Sequence, residues 1–157
     1  MGGLRLLPDI TLDAVNPADA AIFILPGGDM WEQKSYETIT RVLRQLHQAE
    51  VPVAAICGAT LAIARAQLTH QVRHTSNGKA YLKAMVEDYT DEKFYVDELA
   101  VNDNKIITAS GLGSVEFGRE IIKQLNIYSE ADTKIWFEMF KHGVFPASES
   151  VEQSVSR

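Results

Sequence analysis

The stretch that decides the fold is Val51–Leu68, VPVAAICGATLAIARAQL, which joins a short apolar run to a longer one through Cys57 and Gly58. The first run, Val51–Ile56, carries no polar side chain, which is typical of a strand buried on both faces of a parallel sheet. The second run, Ala59–Leu68, is apolar nearly all round and predicts a deeply packed helix. Cys57 is therefore expected at a sharp turn between a buried strand and a buried helix.

This turn has the composition of a nucleophile elbow. Such an elbow needs small residues close to the nucleophile on both sides, and Ala55, Gly58 and Ala59 meet that need. The turn exposes the nucleophile at the carboxyl end of the sheet, where the N-terminus of the following helix favours a thiolate. We therefore predict that Cys57, the single cysteine of the chain, is nucleophilic or redox-active rather than a buried structural thiol.

The residues before the elbow predict a second strand and an amphipathic helix. Ala20–Leu25 is continuously apolar and stops at Pro26-Gly27-Gly28, which is typical of a buried strand that ends in a turn. Lys34–Glu50 has apolar residues at helical spacing with polar residues between them. The order strand, helix, strand, helix predicts right-handed crossovers, and hence an α/β fold with a mainly parallel sheet.

The residues after the elbow helix predict an antiparallel hairpin and two further helices. Leu99–Val101 and Lys105–Thr108 flank the turn-forming residues Asn102-Asp103-Asn104. Ser114 is expected to cap a helix that ends near Leu125. Glu130–His142 carries an apolar stripe and predicts the last helix.

The composition and periodicity at the two ends of the sequence predict the boundaries of the domain. Residues 1–145 are predicted to form a single domain, and residues 146–157, rich in Ser and Glu without periodicity, a flexible tail. Leu4–Leu12 resembles a strand and its exit, but no strand–helix pair precedes it. We therefore expect the sequence to be N-terminally truncated by one strand–helix unit.

Composition excludes several classes of function. The 157 residues carry a net charge of -6, which opposes binding to nucleic acid or to an anionic membrane because both depend on clustered Lys and Arg. One cysteine cannot form an intramolecular disulfide, so the reducing cytoplasm is the expected compartment. No residues have the spacing of metal ligands, and Pro26-Gly27-Gly28 lacks the pattern of a nucleotide-binding loop, so no metal or other cofactor is expected.

Three further motifs are candidates for the neighbourhood of Cys57. The amides of Gly28 and Gly58 could form a pair of oxyanion donors, because both loops leave the same edge of the sheet. Of the four histidines, His74 is the preferred proton acceptor, because it follows the elbow helix and precedes a loop of turn-forming residues, and His70 is its alternative. Ser110-Gly111 follows a strand and predicts another wall of the same pocket.

Taken in order and spacing, four motifs resemble the DJ-1/PfpI superfamily, and within it the bacterial intracellular protease/amidase members, which are similar to class I glutamine amidotransferases. The motifs are Leu25-Pro26-Gly27-Gly28, Ala54-Ala55-Ile56-Cys57-Gly58-Ala59, His74-Thr75-Ser76-Asn77 and Thr108-Ala109-Ser110-Gly111. The resemblance implies a flavodoxin-like three-layer sandwich, a homodimer and a reactive elbow cysteine. It also implies that Cys57 is the nucleophile, His74 its partner, and Gly28 and Gly58 the oxyanion donors, with Gly27, Ser110 and Gly111 lining the pocket.

The sequence departs from this family at two site positions and leaves two functions open. Many members place a Glu from the first strand's loop against the cysteine, and the expected truncation leaves no residue here to which that role can be assigned. Protease and amidase members often carry a histidine directly after the cysteine, where this chain has Gly58. The first expected function is a cysteine-dependent hydrolase or amidase acting on a small-molecule or peptide-like carbonyl substrate. The alternative is a redox sensor or stress-response protein that acts through oxidation of Cys57.

Overall fold

The computed structural model describes residues 5–33 and 37–146, which are built around a four-stranded sheet. The strands are β1 (Phe23–Leu25), β2 (Val53–Ile56), β3 (Ala100–Asp103) and β4 (Ile106–Ala109). Their order in the sheet is β1-β2-β4-β3. Strand β2 pairs in parallel with both β1 and β4, whereas β3 runs antiparallel to β4. The sheet is therefore mixed, with three parallel strands and the predicted hairpin at one edge.

Helices cover both faces of this sheet. They are α1 (Met30–Gln33), α2 (Glu37–Gln48), α3 (Thr60–Arg65), α4 (Lys79–Met85), α5 (Ser114–Gln124) and α6 (Glu130–His142). Helices α2 and α3 pack on one face, α5 packs on the other, and α6 packs against α5. A Lys141–Glu116 ion pair of 2.7 Å links α6 to α5. This arrangement confirms the predicted α/β sandwich.

The apolar run that precedes Cys57 is explained by burial on both sides of β2. Val53, Ala54 and Ala55 are each 0% exposed. Because successive strand side chains point to opposite faces, Val53 and Ala55 join the core beneath α2 and α3, while Ala54 joins the core beneath α5. The elbow is therefore attached to a strand that is fixed on both faces.

Several predicted boundaries differ from the structure. The strand predicted over Leu4–Leu12 is wrong for the described residues 5–12, which form no strand. Pro8 has no N–H to donate to a ladder, and Leu7 is 95% exposed rather than packed. Ser114 is the first residue of α5 rather than its cap, because the cap position is occupied by Gly113.

Other predictions fall partly or wholly outside the described residues. The helix predicted over residues 34–50 is seen as α2 from Glu37, and its first three residues lie outside the described part of the chain. Residues 147–157 of the predicted tail also lie outside it. Within residues 5–33 and 37–146, no helix has the length and apolar character needed to cross a membrane. The homodimer, the cytoplasmic location and the domain boundaries stay predictions.

Candidate active site

Cys57 stands directly after β2 in a strained backbone conformation. Its φ angle is +59°, in the left-handed region that residues with a Cβ rarely adopt. The residue opens a short 3-10 turn, Cys57–Ala59, which leads into α3. Its side chain is half-buried and carries a free thiol. This is the geometry of a nucleophile elbow, in which backbone strain holds the reactive side chain above the end of the sheet.

Two glycines allow the loops on either side of the thiol to approach it. A Cβ on Gly27 would lie 2.9 Å from the Cβ of Cys57, and a Cβ on Gly111 would lie 3.0 Å from its sulfur. The first distance is shorter than real Cβ contacts, and the second is so tight that the Cys57 side chain would have to shift, so glycine is the residue that fits both positions without displacing Cys57. The loops after β1 and β4 therefore lie against Cys57 on two sides. That Gly27 and Gly111 line a substrate pocket stays a prediction.

The loops after β1 and β2 also meet each other. The carbonyl oxygen of Gly28 lies 2.7 Å from the position that a Cβ on Gly58 would occupy. Outside the helices and strands of the described residues, neither the Gly28 N–H nor the Gly58 N–H donates to a backbone carbonyl. The two predicted oxyanion donors are thus carried by backbone segments in contact beside Cys57.

The side chain of Asn77 contacts the sulfur of Cys57. Its Nδ2 donates to Cys57 Sγ at 3.4 Å, and its Oδ1 accepts a hydrogen bond of 2.9 Å from the Gly111 N–H. The amide therefore joins the nucleophile to the loop after β4. A donor in this position stabilises negative charge on the sulfur.

The residues before Asn77 anchor it. The Thr75 N–H donates to Thr108 Oγ1 at 2.9 Å, which fixes the segment to β4. Thr60 Oγ1 donates to the Cys57 carbonyl at 2.7 Å, so the 2.7 Å contact between Thr60 and Ser76 has the Ser76 hydroxyl as donor. This chain of hydroxyls connects the Asn77 loop to the backbone of the elbow itself.

His74 occupies a different place from the one predicted for a proton acceptor. The residue is 0% exposed. Its Nδ1 lies 2.7 Å from the Val72 carbonyl and therefore carries the proton, so Nε2 accepts the 2.6 Å hydrogen bond from the Tyr89 hydroxyl. Both ring nitrogens are engaged away from Cys57, and the structure does not bring His74 into contact with the sulfur. The alternative, His70, is exposed, and its Nδ1 lies 3.3 Å from Asp91 Oδ1.

A tyrosine–carboxylate pair lies on the other side of the elbow. The Tyr81 hydroxyl donates to Glu32 Oε1 at 2.9 Å and lies 3.6 Å from the position of a Cβ on Gly58. Burial, the hydrogen bond to Glu32 and the negative charges of Glu32 and Cys57 raise the pKa of Tyr81 to about 12. Tyr81 therefore stays protonated and remains a hydrogen-bond donor at neutral pH.

Comparison with known proteins identifies the family. A model described as the DJ-1/PfpI family matches residues 1–124 of the chain. The chain belongs to the DJ-1/PfpI family. Two curated Bacillus subtilis relatives carry the names uncharacterized protease YoaZ and uncharacterized protease YdeA. YoaZ is 33% identical over 141 residues, covering 90% of this chain and 67% of the relative. YdeA is 26% identical over 145 residues, covering 92% of this chain and 72% of the relative.

Solved structures of DJ-1/PfpI relatives have the same fold. A thiJ/pfpI family protein from Bacillus anthracis is 35% identical with a TM-score of 0.87, over 99% of this chain and 72% of that chain. The DJ-1 superfamily protein Atu0886 from Agrobacterium tumefaciens is 32% identical with a TM-score of 0.78, over 89% of this chain and 76% of that chain. The flavodoxin-like architecture expected from the sequence motifs is confirmed.

The structure also adds residues to this DJ-1/PfpI site that sequence reasoning missed. Asn77, Tyr81 and Glu32 come from three separate segments. Asn77 belongs to the motif His74-Thr75-Ser76-Asn77, in which the sequence predicts His74, not Asn77, as the partner of Cys57. Ser110 shapes the loop after β4, since its hydroxyl accepts a 3.3 Å hydrogen bond from the Leu112 N–H. Among the described residues, no three His, Cys, Asp or Glu side chains are arranged to hold a metal ion.

Removal of the Asn77 amide is expected to slow the chemistry of the thiol. Asn77→Ala takes away the donor at 3.4 Å from Cys57 Sγ, so the rate of alkylation by iodoacetamide at pH 7 should fall about tenfold. Asn102→Ala in β3 is the matched control and should react at the wild-type rate. Equal rates for all three proteins would show that Asn77 does not act on the sulfur.

Loss of the Tyr89 hydroxyl is expected to destabilise the fold through His74. Tyr89→Phe leaves the buried Nε2 of His74 without its donor, which should lower the free energy of unfolding by about 1–3 kcal/mol. Urea denaturation at pH 7.5 measures this change. A Tyr95→Phe variant is a control, because Tyr95 packs edge-on against the same ring at 5.9 Å between ring centroids without bonding to its nitrogens.

The stability of the protein should also depend on pH through His74. Burial lowers the pKa of His74, against the opposing effects of the Val72 carbonyl and of Asp91. The unfolded chain therefore takes up this proton more readily than the folded one, so stability is greatest above the ordinary histidine pKa of about 6.5 and falls as the pH drops below it. Denaturation curves between about pH 7.5 and 5.5 should show this fall in the free energy of unfolding. The fall should be smaller in a His74→Gln variant, which lacks the titrating ring.

Proposed function

We propose that this protein is a cysteine hydrolase that cleaves amide or peptide-like carbonyl substrates through a covalent intermediate on Cys57. The observation that carries the proposal is the half-buried thiol held at φ +59° between two loops that approach it closely at Gly27 and Gly111. At Cys57 this conformation places a thiol directly after the buried strand β2 and at the start of the turn into α3, which is the position of the nucleophile in an elbow. The relatives named as uncharacterized proteases support the same class of reaction.

The reaction begins with attack by the Cys57 sulfur on the substrate carbonyl carbon. A bond forms between sulfur and carbon, and the carbonyl oxygen becomes an oxyanion. The amine then leaves with a proton, which produces a thioester on Cys57. Water attacks this thioester, releases the carboxylic acid and restores the thiol, so the net reaction is hydrolysis of the amide.

The oxyanion of this intermediate would be held by the peptide N–H groups of Gly28 and Gly58. The residue after the nucleophile supplies one donor in elbow-type hydrolases, which is the position of Gly58. The contact between the Gly28 and Gly58 segments supports a shared role for their amides. Donors that are fixed before the reaction gain strength because they need no reorganisation as charge develops.

Alkylation of the single thiol tests the proposed function. A panel of peptide p-nitroanilides and glutamine should include substrates that the purified protein hydrolyses. Partial treatment with iodoacetamide should reduce the hydrolysis rate in proportion to the fraction of Cys57 modified, because the chain has no other cysteine. Hydrolysis that persists after Cys57 is fully modified would contradict the proposal.

Oxidation of Cys57 is the second candidate function, favoured by the Asn77 donor. The Asn77 Nδ2 at 3.4 Å from the sulfur would also suit an oxygen atom of a sulfenate or sulfinate. The protein would be treated with less than one equivalent of peroxide per chain. Mass spectrometry should then find one or two added oxygen atoms on Cys57. A redox function is favoured if this oxidation is rapid and no amide in the panel is hydrolysed.

A further inference from the structure

We propose that Arg65 is a positioning residue for amide hydrolysis, because through Trp31 it holds the Pro26–Gly28 loop in place beside Gly58. The inference rests on the proposed hydrolase function, in which the N–H groups of Gly28 and Gly58 bind the oxyanion. These two donors come from separate loops. Their separation therefore depends on contacts that join the loop after β1 to the elbow and to helix α3.

Trp31 holds the Pro26–Gly28 loop at both of its ends. The indole Nε1 donates to the Pro26 carbonyl at 2.9 Å, and the Trp31 backbone N–H donates to the Gly28 carbonyl at 3.4 Å. The Trp31 Cβ also lies 3.5 Å from the position that a Cβ on Gly58 would occupy. The loop that carries the Gly28 N–H is therefore closed by a single residue, and that residue lies against the elbow.

Arg65 joins Trp31 to the helix that begins at the elbow. It is the last residue of α3, which follows the turn Cys57–Ala59. Its half-buried guanidinium donates from Nη1 to the Trp31 carbonyl at 2.6 Å and from Nη2 to the Met85 carbonyl at 3.1 Å. Both carbonyls belong to the last turn of a helix, where carbonyls have no donor within the helix itself. A planar, charged guanidinium suits this task because it can donate strongly to two acceptors at once.

These contacts form a continuous connection from α3 to the proposed oxyanion donors. Arg65 bonds to Trp31, Trp31 bonds to Gly28, and the Gly28 carbonyl oxygen lies 2.7 Å from the position of a Cβ on Gly58. Oxyanion donors must be in place before charge develops, and a displacement of about 1 Å can cost about 100-fold in rate. Loss of the Arg65 bonds would let the Gly28 loop shift relative to Gly58, whereas the contact of Asn77 with the sulfur would remain.

A comparison of acylation with alkylation tests this role. In acylation by p-nitrophenyl acetate, the Cys57 sulfur bonds to the carbonyl carbon, the carbonyl oxygen becomes an oxyanion, and p-nitrophenolate then leaves. In alkylation by iodoacetamide, the sulfur bonds to the methylene carbon and iodide leaves, so no oxyanion forms. Arg65→Met should therefore slow acylation about 30-fold and leave the rate of alkylation at pH 7 within about twofold of the wild-type rate.

Trp31→Phe is a second variant that acts on the same connection. It keeps an aromatic ring but loses the Nε1 donor to the Pro26 carbonyl, so the ratio of acylation to alkylation should fall about 5-fold. If Arg65→Met does not fold, a lowered ratio in Trp31→Phe supports the proposed connection and an unchanged ratio overturns it.

Arg44→Met is the matched control. Arg44 Nε also donates to a backbone carbonyl near the end of α3, that of Ala66 at 3.1 Å, but this bond ties α3 to α2 rather than to α1. The ratio of acylation to alkylation should therefore stay at the wild-type value in this variant. An unchanged ratio in Arg65→Met, or an equal fall in Arg44→Met, would overturn the role of Arg65.

The wild-type protein separates this inference from the proposed function. If it forms no acyl group on Cys57, the hydrolase proposal and this inference are overturned together. If Cys57 of the wild-type protein is acylated and Arg65→Met slows acylation and alkylation equally, the residue supports only the fold. The role of Arg65 is then overturned and the hydrolase proposal stands.

Discussion

Replacing Cys57 by alanine is expected to lower the rate of amide hydrolysis at least about 1,000-fold, because the covalent route loses its nucleophile. Cys57→Ser should be nearly as inactive. Its hydroxyl is a much weaker nucleophile than a thiolate, and neither ring nitrogen of His74 is placed to activate it. Both rates can be measured with a peptide p-nitroanilide under single-turnover conditions.

The stability of these two variants is the control for the loss of activity. Cysteine, serine and alanine all carry a Cβ, so each meets the same backbone strain at φ +59°. The free energy of unfolding of both variants should therefore stay within about 1 kcal/mol of the wild-type value. A stable Cys57→Ala variant that still hydrolyses amides would show that the chemistry takes place elsewhere.

The second large effect is expected from Gly58→Ala. The added Cβ would lie 2.7 Å from the carbonyl oxygen of Gly28, a backbone atom that cannot rotate away. Relief of this clash must shift the elbow, the Gly28 loop or both, which moves the two oxyanion donors apart. We expect a loss of about 100-fold in hydrolysis and about 1–3 kcal/mol in the free energy of unfolding.

Gly28→Ala is the matched control for this prediction. The nearest heavy atom to its added Cβ is Trp31 Cδ1 at 3.9 Å, which is an ordinary contact distance. Alanine also keeps the backbone N–H that is proposed to bind the oxyanion. The free energy of unfolding should therefore remain close to the wild-type value. Equal losses in the two variants would contradict the proposed cause, which is the close approach at Gly58.

The strands and the elbow could be predicted from local sequence. The apolar run before Cys57 is continuous because β2 is covered on both faces, and α3 is apolar because all of Thr60–Ala64 is buried. Small residues around Cys57 fixed the position of the turn. These features depend on neighbouring residues in the chain, which is why periodicity and composition were sufficient to find them.

The partners of the thiol could not be predicted in the same way. His74 is predicted as the proton acceptor from its position between the elbow helix and a loop of turn-forming residues, yet burial against Tyr89 makes it an anchor for the loop that carries Asn77. The Glu32–Tyr81 hydrogen bond joins residues 49 positions apart. No local pattern reports such a pairing, because it arises only when α1 and α4 pack around the elbow.

Trapping of an acyl group on Cys57 tests the central claim most directly. The protein would be mixed with p-nitrophenyl acetate, quenched in acid and measured by intact and peptide mass spectrometry. We expect one acetyl group per chain on the peptide that contains Cys57, removable by neutral hydroxylamine as a thioester is, and absent in Cys57→Ala. Acetyl groups found only on lysines, with Cys57 unmodified in the wild-type protein, would contradict the claim that Cys57 is a nucleophile.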